Sequence, residues 1–504
     1  MYIISYDLGT GGVKAALYNE KLSVLGKTFI EYKTFFPQTD FHEQRPIDWW
    51  RGIVKSTHLL LGQTGVKPAD VKGIALSGQS LTAIPLDENG KELLDKVPIW
   101  SDSRAVEESR KFFSKVDPKE WYYLTGNGFP APCYTIFKLM WMKKYQPEVY
   151  KKTAVVVGSK DYINYKLTGR ICTDYSYASG SGGYDLIRMC YKEEFWATAG
   201  IDMRLLPEIV SSDTVIGNLT EAAAGELGLT IETKVAAGAV DNACMALGAT
   251  GITEGAAYVS LGSSSWVPVT ASRPVLDYGT KPYVFAHVEP GMYTSAYSIF
   301  AGGSSLRWVR DNLFADFTEA PYEKISEIAL KSPVGAHGIL FNPSLAGGTS
   351  QDKSVNIQGA FTGLSLADDR CDIARAVLEG IALNLKQSIE FLKKNINLQD
   401  EILFCGGGSK SSVWLQIFAD VLDMKILKTN IDQDTASLGA AAVIAKGMGW
   451  IKDYEIIGMV HSREALYLPD LEHVKQYKKI AEKFNRLAEI LSDFGDLIKK
   501  MDQS

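Results

Sequence analysis

Four short stretches carry residue types suited to handling a phosphorylated ligand. The first is Asp7-Leu8-Gly9-Thr10-Gly11-Gly12-Val13-Lys14. Glycines let a backbone come close to an anion, and successive N–H groups in a turn form an anion-binding nest. The Thr10 hydroxyl and the Lys14 ammonium add a hydrogen bond and a charge. Asp7, at a strand end facing the same gap, is placed to hold Mg²⁺, directly or through water. The same letters also fit a plain hairpin with a Gly-Gly turn. The second stretch is Gly406-Gly407-Gly408-Ser409-Lys410-Ser411, between a strand and a helix, where the helix N-terminus favours phosphate or ribose oxygens. A tight strand-to-helix turn with a serine cap reads equally well there. The third, Gly262-Ser263-Ser264-Ser265, is either a further anion loop or a serine-rich turn. The fourth, Gly238-Ala239-Val240-Asp241-Asn242-Ala243-Cys244, sets one carboxylate among small and apolar residues. Asp241 there is either a helix N-cap or a general base for a substrate hydroxyl. Phosphoryl transfer asks for little more than in-line positioning, Mg²⁺, charge stabilisation and such a base. No GxxxxGK[ST] and no complete GxGxxG occurs, which excludes a P-loop.

The elements that would position these residues alternate. Tyr2 to Tyr6 reads as a buried strand, Val13 to Tyr18 as a second and Leu25 to Tyr32 as a third, forming a meander. Pro46 opens a helix with Trp50, Ile53, Val54 and Leu61 on one face, and Val71 to Leu76 is a further strand. The unit recurs: Ala256 to Leu261 and Trp266 to Val269 are strands around the Gly262 turn. Asp372 to Lys394 is a long amphipathic helix, Glu401 to Cys405 a strand, Ser412 to Leu422 a helix, and a terminal helix begins at Leu471. The class is α/β, with two related domains and a boundary near Gly248 to Gly255.

The chain has 504 residues, 46% hydrophobic and 22% charged, enough for more than one core. Lys+Arg 53 against Asp+Glu 59 gives net −6, without the basic face that nucleic acid requires. Cys133, Cys172, Cys190, Cys244, Cys371 and Cys405 form no CxxC and read as buried reduced thiols. The six histidines show no zinc-type spacing. There is no signal-peptide pattern and no apolar run of membrane-spanning length, so the expected location is the cytoplasm.

Together the motifs resemble the FGGY carbohydrate kinase family. Gly359-Ala360-Phe361-Thr362-Gly363-Leu364, then seven residues, then Asp372-Ile373-Ala374-Arg375-Ala376-Val377-Leu378-Glu379 is similar to its C-terminal signature. Thr135 to Met142 nearly meets the N-terminal one, with Cys133 and Tyr145 departing at its edges. The resemblance runs from Tyr2 to about Gly447. It implies two ribonuclease-H-like domains of the actin and hexokinase type, with ATP and a sugar in the cleft between them. The first, 1–248, would carry the sugar, the first phosphate loop and the catalytic Asp; the second, 249–504, would bind nucleotide and end in the terminal helix. By the same resemblance Asp7 is the Mg²⁺ partner, and Thr10, Gly11, Gly12 and Lys14 are the first phosphate segment. Gly262 and Ser263 are the second phosphate segment. Gly303 and Arg307, in the segment Ala301 to Trp308, contact nucleotide, with a structural role for Arg307 left open. Gly407, Gly408 and Ser411 form the adenosine loop. Asp241 becomes the base and Asn242 a substrate contact. A homodimer is also implied, although no interface is legible in the letters.

The departures bear on substrate. Ile74 to Thr82 aligns with the family's sugar-recognition strand and turn. Glycerol kinases place Arg-Glu where this chain has Ser80-Leu81, and xylulose kinases place Met-His there. Gln79 and Asp102, the latter within Trp100-Ser101-Asp102-Ser103-Arg104, look more like the xylulose and gluconate branches. Leu81 and Cys133 would make a less polar pocket wall, unless backbone makes the contacts there. The reaction expected is ATP-dependent phosphorylation of a ketopentose such as xylulose. The alternatives are another sugar, a sugar acid or a polyol (gluconate, erythritol, a glycerol-like acceptor), or a non-catalytic actin-like ATPase switch.

Overall fold

Six consecutive buried residues, Ile3 to Leu8, mark the strand Tyr2–Leu8 as central and covered on both faces. In Val24–Glu31, exposed and half-buried residues alternate, as expected of an edge strand. The computed structural model, which describes residues 1–300 and 302–502, bears this out. Ala301, Gln503 and Ser504 lie outside the described residues. The first sheet runs Val215–Asn218, Lys234–Ala236, Val71–Gly78, Tyr2–Leu8, Gly12–Asn19, Val24–Glu31, with Ala239–Val240 also paired to Val71–Gly78. The second runs Tyr283–Ala286, Tyr293–Ile299, Ser265–Ala271, Tyr258–Leu261, Glu401–Cys405, Lys425–Thr429, Arg463–Tyr467. In each, the leading strand is antiparallel to the next strand in the chain and parallel to a later one across a crossover. This duplicated ribonuclease-H-like topology is the recurrence anticipated from the two hairpins.

The halves exchange helices. Asp241–Thr250 leaves the first sheet and Thr435–Gly447 leaves the second, and the two pack on each other. Their approach depends on glycine. A Cβ on Gly248 would lie 1.8 Å from the Thr435 carbonyl oxygen, and one on Gly439 would lie 2.0 Å from that of Cys244. The alanine-rich face Ala440 to Ala445 then packs with Ile3, Ala75 and Ala236 of the first sheet. Ser437 ties the same helix to Ser5 at 2.9 Å and to the Tyr18 hydroxyl at 2.8 Å. The boundary read between residues 248 and 249 thus falls inside a helix, where small residues serve close packing.

The terminal helix Leu471–Met501 is capped by Asp470, which accepts from the Glu472 and His473 N–H groups. It buries Val474, Tyr477, Ala481, Phe484 and Ala488, spaced by three and four. All six cysteines are free thiols, but two depart from the expected burial: Cys190 is exposed and Cys371 half-buried. Among the described residues no helix is long and apolar enough to cross a membrane.

Candidate active site

Three parallel strands end side by side. Asp7 is in register with Ser77 and Leu8 with Gly78, while Ser77 pairs with Ala239 and Gly78 with Val240. Asp7, Gln79 and Asp241, at or just past these ends, therefore share one edge, where open α/β sheets bind ligands. Asp7 is buried; its Oδ1 accepts from the Ser77 hydroxyl at 2.8 Å, and Lys14 Nζ stands 4.0 Å from Oδ2. Burial raises its carboxyl pKa, Lys14 and Ser77 oppose the rise, and Asp434 adds to it. Asp241 is half-buried and is the first helical residue; the N-cap is Val240, so the capping role is not the one it plays. Its Oδ1 accepts from the Asn242 N–H at 2.8 Å. Loss of hydration, then the charge of Asp7, pushes its pKa up to about 7. A buried carboxylate acting on a second one fits a divalent cation, which would relieve both.

The backbone leading to Asp241 is pinned by residues the sequence reading missed. Lys160 is fully buried, with Nζ 2.5 Å from Asp161 Oδ1, 2.9 Å from Asp174 Oδ1 and 3.2 Å from the Ala237 carbonyl oxygen. Ser176 accepts from the Val240 N–H at 3.0 Å and donates to Asp174. The bonds that reach Ala237 and Val240 come from residues more than sixty positions away, so no local pattern announces them.

The first loop is open in front and tight behind. Thr10, Gly11 and Lys14 are exposed, and a Cβ on Gly11 would meet nothing within 4 Å. One on Gly12 would lie 2.5 Å from the Ile30 carbonyl oxygen. Thr10 Oγ1 accepts from the Trp100 indole at 2.8 Å.

The second half encloses a cavity of about 690 Å³, a nucleotide-sized space, and Gly262, Ser263, Gly303, Arg307, Gly407, Gly408 and Ser411 all line it. Strand ends at Leu261 and Cys405 bring two loops together, and the helix Gly302–Leu313 starts against one of them. The Gly303 N–H donates to the Gly262 carbonyl at 3.0 Å, and a Cβ on Gly303 would lie 2.3 Å from that oxygen. Arg307 Nη2 donates to Ser263 Oγ at 3.1 Å. Gly406 turns the other loop at φ 91, its N–H held by Asp432 Oδ1 at 2.6 Å. Ser411 caps the helix Ser412–Leu422, so cap and cavity wall coincide. Tyr322, Glu323, Ser326 and Glu327 complete the wall; their helix, Pro321–Ala329, carries no motif by which they could have been found.

In the first half Gln79, Ser80, Leu81 and Cys133 are buried, and Asn242 is half-buried. Leu81 sits at φ 59, its carbonyl held by Lys138 Nζ at 2.8 Å. Lys138 also donates to the Ile99 carbonyl, and burial lowers its pKa to about 8. Burial raises the Cys133 thiol. Asp102 departs from the expectation of a substrate contact. It is 0% exposed; Arg104 donates to both carboxylate oxygens and the His42 N–H to one. Its charge is spent on Arg104, leaving no oxygen for a ligand.

The most specific sequence signature is structural. Asp372 completes a capping box with Asp369. Arg375 Nε donates to Glu379 Oε1 at 2.6 Å, and Tyr477 of the terminal helix bonds both. His337, Asp368 and Asp372 also bring ligand-type atoms within 4.8 Å of one another, a grouping no spacing foretold.

With this geometry in hand, the chain matches two family models, the N-terminal domain of the FGGY family of carbohydrate kinases over residues 2–248 and the C-terminal domain over 257–448. A xylulose kinase of Bacillus subtilis (strain 168) is 30% identical over 503 residues, covering 99% of each chain. A gluconokinase of Bacillus licheniformis is 27% identical over 500 residues, 98% of this chain and 96% of that one. The crystal structure of a ligand-bound xylulose kinase from Lactobacillus acidophilus superposes with a TM-score of 0.90 at 25% identity, covering 97% of this chain and 98% of that one. Two matched domain models spanning most of the sequence, and relatives matched over nearly their full length, establish that this chain is a sugar kinase belonging to the FGGY family of carbohydrate kinases.

Proposed function

We propose that this kinase transfers the terminal phosphoryl group of ATP, with Mg²⁺, to a hydroxyl of a ketopentose such as xylulose. The observation that carries the reading is Asp241. It is a half-buried carboxyl at a strand-end edge, raised to about 7 by dehydration and by Asp7. A base of that strength is matched to taking a proton near neutral pH. Residues 1–248 would hold the sugar and the base, and 249–504 the nucleotide. Mg²⁺, when bound, supplies charge neutralisation at the phosphates, and Asp7 would hold it. Thr10, Gly11, Gly12 and Lys14, with Gly262 and Ser263, offer N–H, hydroxyl and ammonium donors to the phosphates. Gly303, Arg307, Gly407, Gly408 and Ser411 shape the space for the rest of the nucleotide. Gln79, Ser80, Leu81, Cys133 and Asn242 face the sugar. Asp241 takes the hydroxyl proton as the oxygen attacks, and closure about the Gly248–Gly439 contact excludes water.

A sugar acid is the second reading, favoured by the gluconokinase among the relatives. ADP release measured across ketopentoses, aldopentoses, gluconate, erythritol and glycerol tests both. The highest kcat/KM with xylulose is expected. A preference for gluconate would move the assignment to the second reading. ADP release that no sugar stimulates would sink both and favour an ATPase switch.

A further inference from the structure

Gln44 ends the strand Phe41–Gln44 and is 0% exposed. Its carboxamide makes four hydrogen bonds. Oε1 accepts from Trp49 Nε1 at 3.0 Å and from Gln79 Nε2 at 2.8 Å. Nε2 donates to the Thr10 carbonyl at 2.7 Å and to Thr34 Oγ1 at 2.8 Å. The sense of this amide is not free. An indole N–H can only donate and a backbone carbonyl can only accept, so a flipped Gln44 would face donor to donor and acceptor to acceptor. Gln79 is fixed in turn: its Nε2 must point at Gln44, which leaves its buried Oε1 an acceptor with no partner among the described residues. Trp100 imposes the same logic on Thr10. Its indole donates to Thr10 Oγ1 at 2.8 Å, so the proton of that hydroxyl is left to be given elsewhere. One-way donors thus set the polarity on both sides: an acceptor on the substrate turn and a donor on the first phosphate loop. The Gln44 side chain bonds both, beside the direct backbone bond from the Gln79 N–H to the Leu8 carbonyl at 3.0 Å.

We propose that Gln44 is a positioning residue that locks the substrate turn at Gln79 to the phosphate loop at Thr10, coupling acceptor placement to phosphoryl alignment. The proposal rests on the kinase reading given above. It makes Gln44 act through its neighbours and touch neither substrate.

Steady-state kinetics of Gln44→Met, Gln79→Met and the double variant test it, using the sugar that serves the wild-type protein best. Gln44→Met deletes the four bonds at similar volume. It is expected to raise the sugar KM about tenfold and lower kcat about tenfold, in line with what small misplacements cost. Gln79→Met is expected to raise the sugar KM with kcat within about threefold. The double variant is expected to show a sugar KM no higher than about twice that of Gln44→Met, because the two changes break one linkage. A merely structural Gln44 would lower the active fraction and leave each KM unchanged, and that outcome overturns the proposal. So does a Gln44→Met variant with both constants within twofold of wild type, or KM effects that multiply in the double variant. Should Gln44→Met fail to fold, Gln44→Glu assayed at pH 8 keeps the volume and the acceptor toward Trp49 and Gln79 but sets a carboxylate oxygen against the Thr10 carbonyl in place of the donor. A rise of about threefold in sugar KM supports the proposal there, and unchanged constants overturn it. A wild-type protein inert to every sugar removes the kinase reading and this inference together. An active wild type whose variants show no split removes this inference alone.

Discussion

Replacing Asp241 by Asn should cripple the enzyme and stabilise the fold. The Asp241 carboxyl is raised from 3.8 to about 7 in the folded chain. That is roughly 3 pH units at about 1.4 kcal/mol each, so holding the ionised form there costs about 4 kcal/mol as an upper bound. The partial exposure of Asp241 lets solvent screen part of this, and about 1–3 kcal/mol is the realistic gain on neutralisation. The sign follows from proton counting. Between pH 3.8 and about 7 the folded state keeps a proton that the unfolded chain has lost, so stability falls as pH rises through that window. Asn carries no charge, and its Oδ1 can still accept the Asn242 N–H that Asp241 Oδ1 now accepts. The variant should therefore melt a few degrees higher at pH 8, with less than half of that gain at pH 5. Its kcat should fall between a hundredfold and ten-thousandfold, the usual worth of a positioned base, with ATP affinity by titration changed less than about threefold. Thermal melts at the two pH values, beside kinetics on the same preparations, provide the check. An unchanged or lower melting temperature at pH 8, or an equal shift at both pH values, would refute the electrostatic reasoning. Retained activity would refute the assignment of the base.

In the wild-type protein kcat/KM for the sugar should be level above pH about 7 and fall about tenfold per unit below it. Saturating Mg²⁺ should move the break to lower pH, because a cation favours the ionised carboxyl; a flat profile from pH 5 to 8 counts against Asp241. Gly303→Ala places a methyl 2.3 Å from the Gly262 carbonyl oxygen, so the loop must shift, and the KM for ATP should rise about tenfold with the sugar KM nearly unchanged. Glu379→Gln uncouples a buried ion pair, leaving Arg375 charged beneath the terminal helix; a stability loss of about 3–5 kcal/mol in urea titrations is expected, with both KM values within twofold of wild type.

The glycine-rich loops could be picked out of the letters because what marks them is local. A turn that must expose N–H groups needs glycine at fixed offsets, and Gly11, Gly262 and Gly407 can be picked out without knowing what surrounds them. The strands were legible for a similar reason: six buried residues in a row, or an alternating run, declare how many faces are covered. Folding brings Gly303 and Ser411 into one cavity wall although they lie far apart in the chain.

What the letters left unstated depends on pairing over distance. Asp102 and Asp241 are both aspartates in loop-like contexts. Only the fold shows that Arg104 and His42 use up the first, while the second stands at the sheet edge within reach of the charge of Asp7. Gln44 looks like an ordinary polar residue at the end of a short strand. Its meaning comes from Trp49 and the Thr10 carbonyl, whose fixed donor and acceptor senses allow one arrangement of its amide and thereby orient Gln79. The sequence by itself determined the family and the class of chemistry, because each follows from residue type and short spacing. The tertiary structure alone decided which carboxylates remain free, which amides are locked and where the halves cross at Gly248 and Gly439. Desolvation and hydrogen-bond complementarity act between residues that only the folded chain makes neighbours.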